Sequence, residues 1–252
     1  MLEIKNLTDH AEMYIYGDII SDTDASWLKM LDDGTLGYQY PTKIREQLES
    51  LKGLPIDVHI ASDGGDVAAG VAIYNMLVNH DAPVTVYVDN WAASIASVIA
   101  MAGNKIVMPD NSWLMIHNPK AGVFGDAEYL VSVADWLDKI KTMIIDTYAK
   151  HSEATKERIS ELMNAETWLN VNEAMELFNN IELADYKPLQ AVASLKTAFN
   201  NAPEKLVAKA EQAKIDAEAE AKAQAEAEAK AKAEEEAIKK HVMSVLQEAY
   251  KL

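Results

Sequence analysis

Apolar residues in the first 190 positions recur at two different spacings. Ile56, Val58 and Ile60 alternate with Asp57 and His59, which predicts a strand over Ile56–Ile60. From Val67 to Val78 the apolar positions, Val71, Tyr74, Met76 and Leu77 among them, follow a helical period. Val84–Val88 reads as a second strand and Ala93–Ala102 as a second helix. Lys105–Met108 and Trp113–His117 read as two further strands. Strands separated by helices of this length predict crossover units in an α/β fold. From Asp126 to Met163, Leu130, Val133, Leu137, Ile140 and Ile144 recur at helical spacing. This predicts one long periodic segment able to project from the body. Asn172–Leu177 reads as a short helix with an Asn cap.

The pattern changes after Pro203. Residues Glu204–Glu236 are mostly Ala, Glu, Lys and Gln, strong helix formers with many acid–base pairs three or four apart. With almost no large apolar side chains the stretch cannot bury a core, so a solvated or partly disordered helix is expected. A continuous helix here would span about 70 Å. Ile238, Val242, Val245, Leu246 and Ala249 then fall on one helical face, suited to docking. The expected organisation is a body over 1–190, a linker over 191–203 and a tail over 204–252.

Composition narrows the function classes. The apolar fraction of 49% supports a sizeable core, and no Cys is present, which removes disulfides, thiol nucleophiles and thiolate metal sites. The start, Met1–Lys5, lacks the basic-then-apolar pattern of a secretory signal. The longest quasi-apolar run, Ala92–Gly103, is well short of the about 20 residues that cross a membrane. A soluble, cytoplasmic protein is expected. The net charge is −17, and residues 204–252 contribute only −2 of it, with 11 acids against 9 bases. An acidic body repels phosphate backbones, so nucleic acid is not an expected partner.

Four places carry candidate chemistry. Ser62-Asp63-Gly64-Gly65-Asp66 follows a strand and precedes a helix; its glycines allow a tight turn and let backbone N–H groups face a ligand. It reads equally as a plain turn. Ser94 stands where a strand meets a helix, beside Ala92, Ala93 and Ala96. An oxyanion forming there would meet unpaired N–H groups and the helix dipole, and an ordinary N-cap serine is the other reading. Ser97, one turn on, reads as a small packing residue. His117 ends an apolar strand at Asn118-Pro119, where sites of α/β sheets collect, although a lone His is more often structural. His10, His59, His80, His151 and His241 have no comparable setting, His59 reading as a packing or surface residue. Glu166, before Thr167-Trp168-Leu169, is a carboxylate able to orient an imidazole or simply a solvated acid. No phosphate loop or metal-ligand spacing competes.

Taken together, a Gly-Gly turn, a Ser at a helix start, a His at a strand end and then an acid resemble the order in the Clp protease proteolytic subunit family. The resemblance covers about residues 10–190. It rests on Ser62-x-Gly64-Gly65, Ala92-Ala93-Ser94, Met115-Ile116-His117-x-Pro119 and the Glu173-Ala174 helix. It implies a ClpP/crotonase-like spiral of repeated ββα units with a protruding handle helix over Asp126–Met163, followed by the long charged C-terminal helix. It implies Ser94 as nucleophile, His117 as general base and then acid, Glu166 as the third residue, and the N–H groups of Gly65 and Ile95 as the oxyanion hole. With no metal-ligand spacing or phosphate loop in the chain, no metal and no cofactor are expected. The resemblance implies a ring homo-oligomer enclosing its sites and acting on protein substrates.

This chain departs from that family in places. Glu166 stands where the family has Asp, leaving Thr167 as a rival orienter. Ala165 replaces an Arg, Asp63 a Pro, and Trp91 a smaller or polar residue. The phrases Ala93–Ala100 and Glu166–Leu169, with the charged tail, resemble ClpP-like head-maturation proteases of phages and prophages. That resemblance implies coat or scaffold protein as substrate and the tail as an assembly appendage, with cleavage expected around residues 190–204. Dependence on an ATPase unfoldase stays open, since the chain has no nucleotide motif of its own. Two other readings are carried: a non-catalytic ClpP-like scaffold, and a crotonase-like acyl-CoA enzyme, which would not need Ser94 and His117 together.

Overall fold

The computed structural model describes residues 5–6 (backbone only), 9–30, 37–51, 53–185 and 201–202. All belong to the first of the two units into which the chain divides, Met1–Pro203 and Glu204–Leu252. The expected tail helix and its apolar face (Ile238, Val242, Val245, Leu246), and all of the linker except Asn201 and Ala202, lie outside the described residues.

The fold is mixed α/β. Among the described residues eight strands form one sheet: β1 (Lys5–Asn6), β2 (Ala11–Tyr16), β3 (Ile56–Ser62), β4 (Val84–Ala93), β5 (Lys105–Met108), β6 (Trp113–Ile116), β7 (Thr167–Asn170) and β8 (Ile181–Leu183). The main path runs β1-β2-β3-β4-β5-β8, parallel except at the β1–β2 edge. β4 is long enough to serve two partners. Thr85–Tyr87 pair with β5, and Trp91–Ala93 pair with β6, which in turn pairs antiparallel with β7. The pairing of β3 with β4 shifts between Ile60 and Ser62, so the far half of β4 diverges from the main sheet. That divergence carries the end of β4 toward β6 and β7.

Among the described residues seven helices accompany the sheet: α1 (Asp22–Leu28), α2 (Pro41–Ser50), α3 (Val67–Val78), α4 (Ile95–Ala100), α5 (Ala127–Ala149), α6 (Lys156–Asn164) and α7 (Val171–Leu177). β3 alternates Ile56, Val58 and Ile60 into the core with Asp57 and His59 less buried, as its period of two requires. His59 is a packed residue, stacked between the rings of Tyr14 and Tyr87 and bonded to Asp89. α4 is buried at every position, so it needs no polar face. Its Ile95 seats against α3 at Gly70, where a Cβ would come within 2.2 Å of Ile95 Cγ1. Burying one such side chain contributes about 1.5–3 kcal/mol. None of the described helices is long and apolar enough to cross a membrane.

Several boundaries differ from the sequence reading: β3 runs on to Ser62 and β4 to Ala93, β6 stops at Ile116, and α4 ends at Ala100. Three further differences have an evident physical cause. The periodic stretch Asp126–Met163 is two helices, not one. α5 ends at Ala149, and Thr155 begins α6 by accepting from Arg158 N. Between them Ser152 Oγ donates to the Leu177 carbonyl, which takes the chain off the helical path. α4 starts at Ile95 rather than Ala93, because Ala92 and Ala93 are still paired with Leu114 and Met115 of β6. The cap of α7 is Asn170, not Asn172: Asn170 Oδ1 accepts from Asn172 N and Glu173 N, and Glu173 Oε2 accepts from Asn170 N.

Candidate active site

The candidate site forms where β3, β4 and β6 end. β4 delivers Ser94 directly from its last paired residue, Ala93, which stands opposite Met115. Ser94 adopts φ 56° and ψ −127°, a conformation side-chain-bearing residues rarely take. Its N–H donates to the Met115 carbonyl at 2.9 Å. Its own carbonyl is held by Ser97, whose Oγ lies 2.5 Å away and also meets the Tyr148 hydroxyl at 2.8 Å. Both hydroxyls are buried, and burial pushes the Tyr148 phenol well up, so it remains a proton-bearing group. Ser97 is therefore more than a packing residue: it belongs to the buried network that fixes the strained turn. Ser94 stands at the N-cap position but makes no side-chain cap bond. Its hydroxyl points to His117 instead.

β6 delivers His117 one residue past its end, on the same strand that holds Ser94 N–H. His117 Nε2 lies 2.7 Å from Ser94 Oγ. Burial first, and the Lys120 ammonium second, hold the imidazole below its ordinary range, and Glu166 offsets part of this. A neutral imidazole follows near pH 7, and in the tautomer that carries its proton on Nδ1, the side facing Glu166, Nε2 accepts from the Ser94 hydroxyl.

Glu166 reaches the site because β7 pairs with β6 in a register that sets Thr167 opposite Ile116. It is buried, with φ 50°, and its Oε2 lies 3.7 Å from His117 Nδ1. That oxygen also accepts from Lys120 Nζ at 3.0 Å. Thr167, the rival orienter, donates its hydroxyl to the Leu162 carbonyl at 2.6 Å, closing the end of α6 rather than addressing the imidazole.

The Gly64-Gly65 turn covers the other side of Ser94. A Cβ on Gly64 would lie 2.8 Å from Ser94 Cβ and 3.2 Å from Ile95 N. Gly65, at φ 143°, lies so close to Ile19 that a Cβ would fall 2.0 Å from the Ile19 carbonyl oxygen. Ile19 N donates to Gly64 O and Asp66 N donates to Ile19 O, so the turn is held from outside the strand order. Two unusual residues prove to be partners: Trp91 Nε1 donates to Asp63 Oδ1 at 2.7 Å, tying the turn to β4.

Ser94, His117, Gly64, Gly65, Asp18, Ile19 and Lys120 line a cavity of about 370 Å³. An alcohol bonded to a neutral imidazole, beside a glycine turn and a helix N-terminus, can attack a carbonyl and shelter the charge that results. Sequence reasoning assembled Ser94, His117, Glu166, Gly65 and Ile95, but missed Lys120, Ile19 and Asn201, whose N–H donates to Glu166 Oε1 at 2.9 Å. Lys120 lies three residues past His117, yet nothing in its neighbours signals which way it turns.

Comparison with known proteins bears on this arrangement. The family model described as Clp protease matches residues 39–178. The chain is 31% identical over 163 residues to the ATP-dependent Clp protease proteolytic subunit 1 of Chlamydia muridarum, covering 59% of this chain and 84% of that one. It is 31% identical over 169 residues to proteolytic subunit 2 of Treponema denticola, covering 62% and 84%. A solved structure of a ClpP1 variant from Listeria monocytogenes superposes with a TM-score of 0.55 at 25% identity, covering 69% of this chain and 92% of that one. With the family model spanning more than half of its residues, the chain belongs to the Clp protease family, a family of serine peptidases.

Proposed function

We propose that the chain is a serine endopeptidase in which Ser94 attacks the scissile carbonyl, His117 accepts and later returns the proton, and Glu166 stabilises the imidazolium. The N–H groups of Gly65 and Ile95 would bind the developing oxyanion. The observation that carries the reading is the 2.7 Å Ser94–His117 contact at a serine held in a positive-φ turn. The relatives are named as proteolytic subunits of an ATP-dependent protease, and an ATPase unfoldase is carried over as a partner on that ground. Self-assembly into a ring is supported by apolar residues left exposed on and before α5: Phe124, Val131 and Trp136 are 100%, 61% and 60% exposed.

The substrate proposed is phage coat or scaffold protein, cut in the bacterial cytoplasm or within an assembling procapsid. The phrases Ala93–Ala100 and Glu166–Leu169 and the charged tail support this. A fluorophosphonate probe tests the chemistry. Labelling of the wild type that Ser94→Ala abolishes is expected, and an unlabelled assembled protein overturns it in favour of a non-catalytic scaffold. Mass spectrometry of stored wild type and Ser94→Ala tests cleavage at 190–204: a shortened chain is expected in the first alone. Deleting 238–252 should keep peptidase activity and weaken co-assembly with coat protein; unchanged co-assembly removes the appendage role.

A further inference from the structure

We propose that Asn201, in the segment joining the peptidase body to the tail, is a positioning residue that clamps the turn carrying Glu166; this rests on the peptidase reading above.

Two hydrogen bonds make the clamp. Asn201 N–H donates to Glu166 Oε1 at 2.9 Å, and Asn201 Nδ2 donates to the Ala165 carbonyl at 2.7 Å. Ala165 is the C-cap of α6, where helix carbonyls lack intrahelical partners. The clamp therefore satisfies one end-of-helix acceptor and one oxygen of a buried carboxylate.

The division of labour between the two oxygens is what argues for positioning. Oε1 is taken by Asn201, while Oε2 faces His117 Nδ1 and Lys120 Nζ. Binding Oε1 leaves Oε2 for the imidazole and fixes the plane of the carboxylate. A glutamate needs this more than an aspartate would, since it has one further rotatable bond to hold. It also sits on a backbone at φ 50°, which local preference does not maintain.

Asn201 is not presented as a scissile residue. It approaches the acid, on the Nδ1 side of the imidazole, whereas Ser94 occupies the Nε2 side. Asn201 thus supports the acid from behind.

The test uses the full-length chain with two substitutions. Asn201→Pro removes the N–H donor to Glu166, and Asn201→Ala removes the anchor to Ala165 but keeps the N–H. For a short fluorogenic peptide, kcat should fall about 10- to 100-fold in Asn201→Pro, the scale of a lost hydrogen bond to a charged group, and about 3- to 10-fold in Asn201→Ala. KM should stay within about twofold, because the clamp does not line the substrate cavity. The acid limb of the pH profile should move to lower pH in both, because the carboxylate that raises the His117 pKa is held less well. A kcat and acid limb matching wild type in folded Asn201→Ala overturns the proposal, whether or not Asn201→Pro folds. His117 titration by NMR keeps the two readings apart. If the wild type proves unreactive, the peptidase reading fails, and a His117 pKa lower in Asn201→Ala than in wild type still supports the clamp, while equal values refute it.

Discussion

Glu166→Gln isolates the charge of the acid while keeping its length. When Ser94 passes its proton to His117, an imidazolium forms 3.7 Å from Glu166 Oε2. At an effective dielectric of about 20, suited to a partly buried pair, the attraction is about 4.5 kcal/mol. That corresponds to a rate factor of about 10³. Lys120 lies 3.0 Å from the same oxygen and draws off part of the carboxylate's effect, so the net contribution is smaller. In the variant the lysine remains and its repulsion of the imidazolium is uncompensated. Glu166→Gln should lower kcat/KM for a short peptide about 10²- to 10³-fold. The second-order rate of fluorophosphonate labelling should fall in parallel. Since Glu166 raises the His117 pKa against burial and Lys120, its loss should also move the acid limb to lower pH. A fall of less than about threefold, or an acid limb that moves upward, would refute Glu166 as the group that stabilises the imidazolium.

Other substitutions probe the surrounding groups. Lys120→Met removes a charge that depresses the His117 pKa and leaves Glu166 more available to it, so the acid limb should rise: activity at pH 6 falls more than activity at pH 8. Gly65→Ala places a Cβ 2.0 Å from the Ile19 oxygen at φ 143°, and urea unfolding should show a loss of about 3 kcal/mol or more, with labelling abolished. Thr167→Val loses the bond to Leu162 O and should cost about 1 kcal/mol of stability while labelling stays within twofold. A large loss of labelling there would return Thr167 as the orienter.

The elements legible in the sequence were those whose pattern is local. α3 and β5 begin and end where periodicity placed them, because both are bounded by clear caps or turns. Ala92 and Ala93 were misread because small apolar residues suit strand and helix alike, and pairing with β6 decides. The α5–α6 break was passed over although the periodicity lapses there: residues 149–158 hold no large apolar side chain between Tyr148 and Ile159. Thr155 was the available signal, as a cap before Lys156-Glu157-Arg158. Within the site, Ser94 and His117 were legible as residues meeting at strand ends. Glu166 was legible only through family order, since it lies 3.7 Å from His117 by virtue of the antiparallel β6–β7 register. Asn201 lay beyond reach: the bond to Glu166 spans 35 positions and no periodicity announces it.

The Trp91–Asp63 bond makes two substitutions one heritable unit. Trp91 is buried and gives its one polar side-chain proton to Asp63, at a turn where the family resemblance sets Pro against Asp63 and a smaller or polar residue against Trp91. Restoring Pro at 63 alone takes this acceptor from a buried indole. Shrinking Trp91 alone opens a void and removes a donor from Asp63. Only the double exchange returns to a consistent pair. A chimera that borrows the glycine turn from a relative must therefore borrow the end of β4 with it, and sequences related to this one should carry the two positions as a matched set.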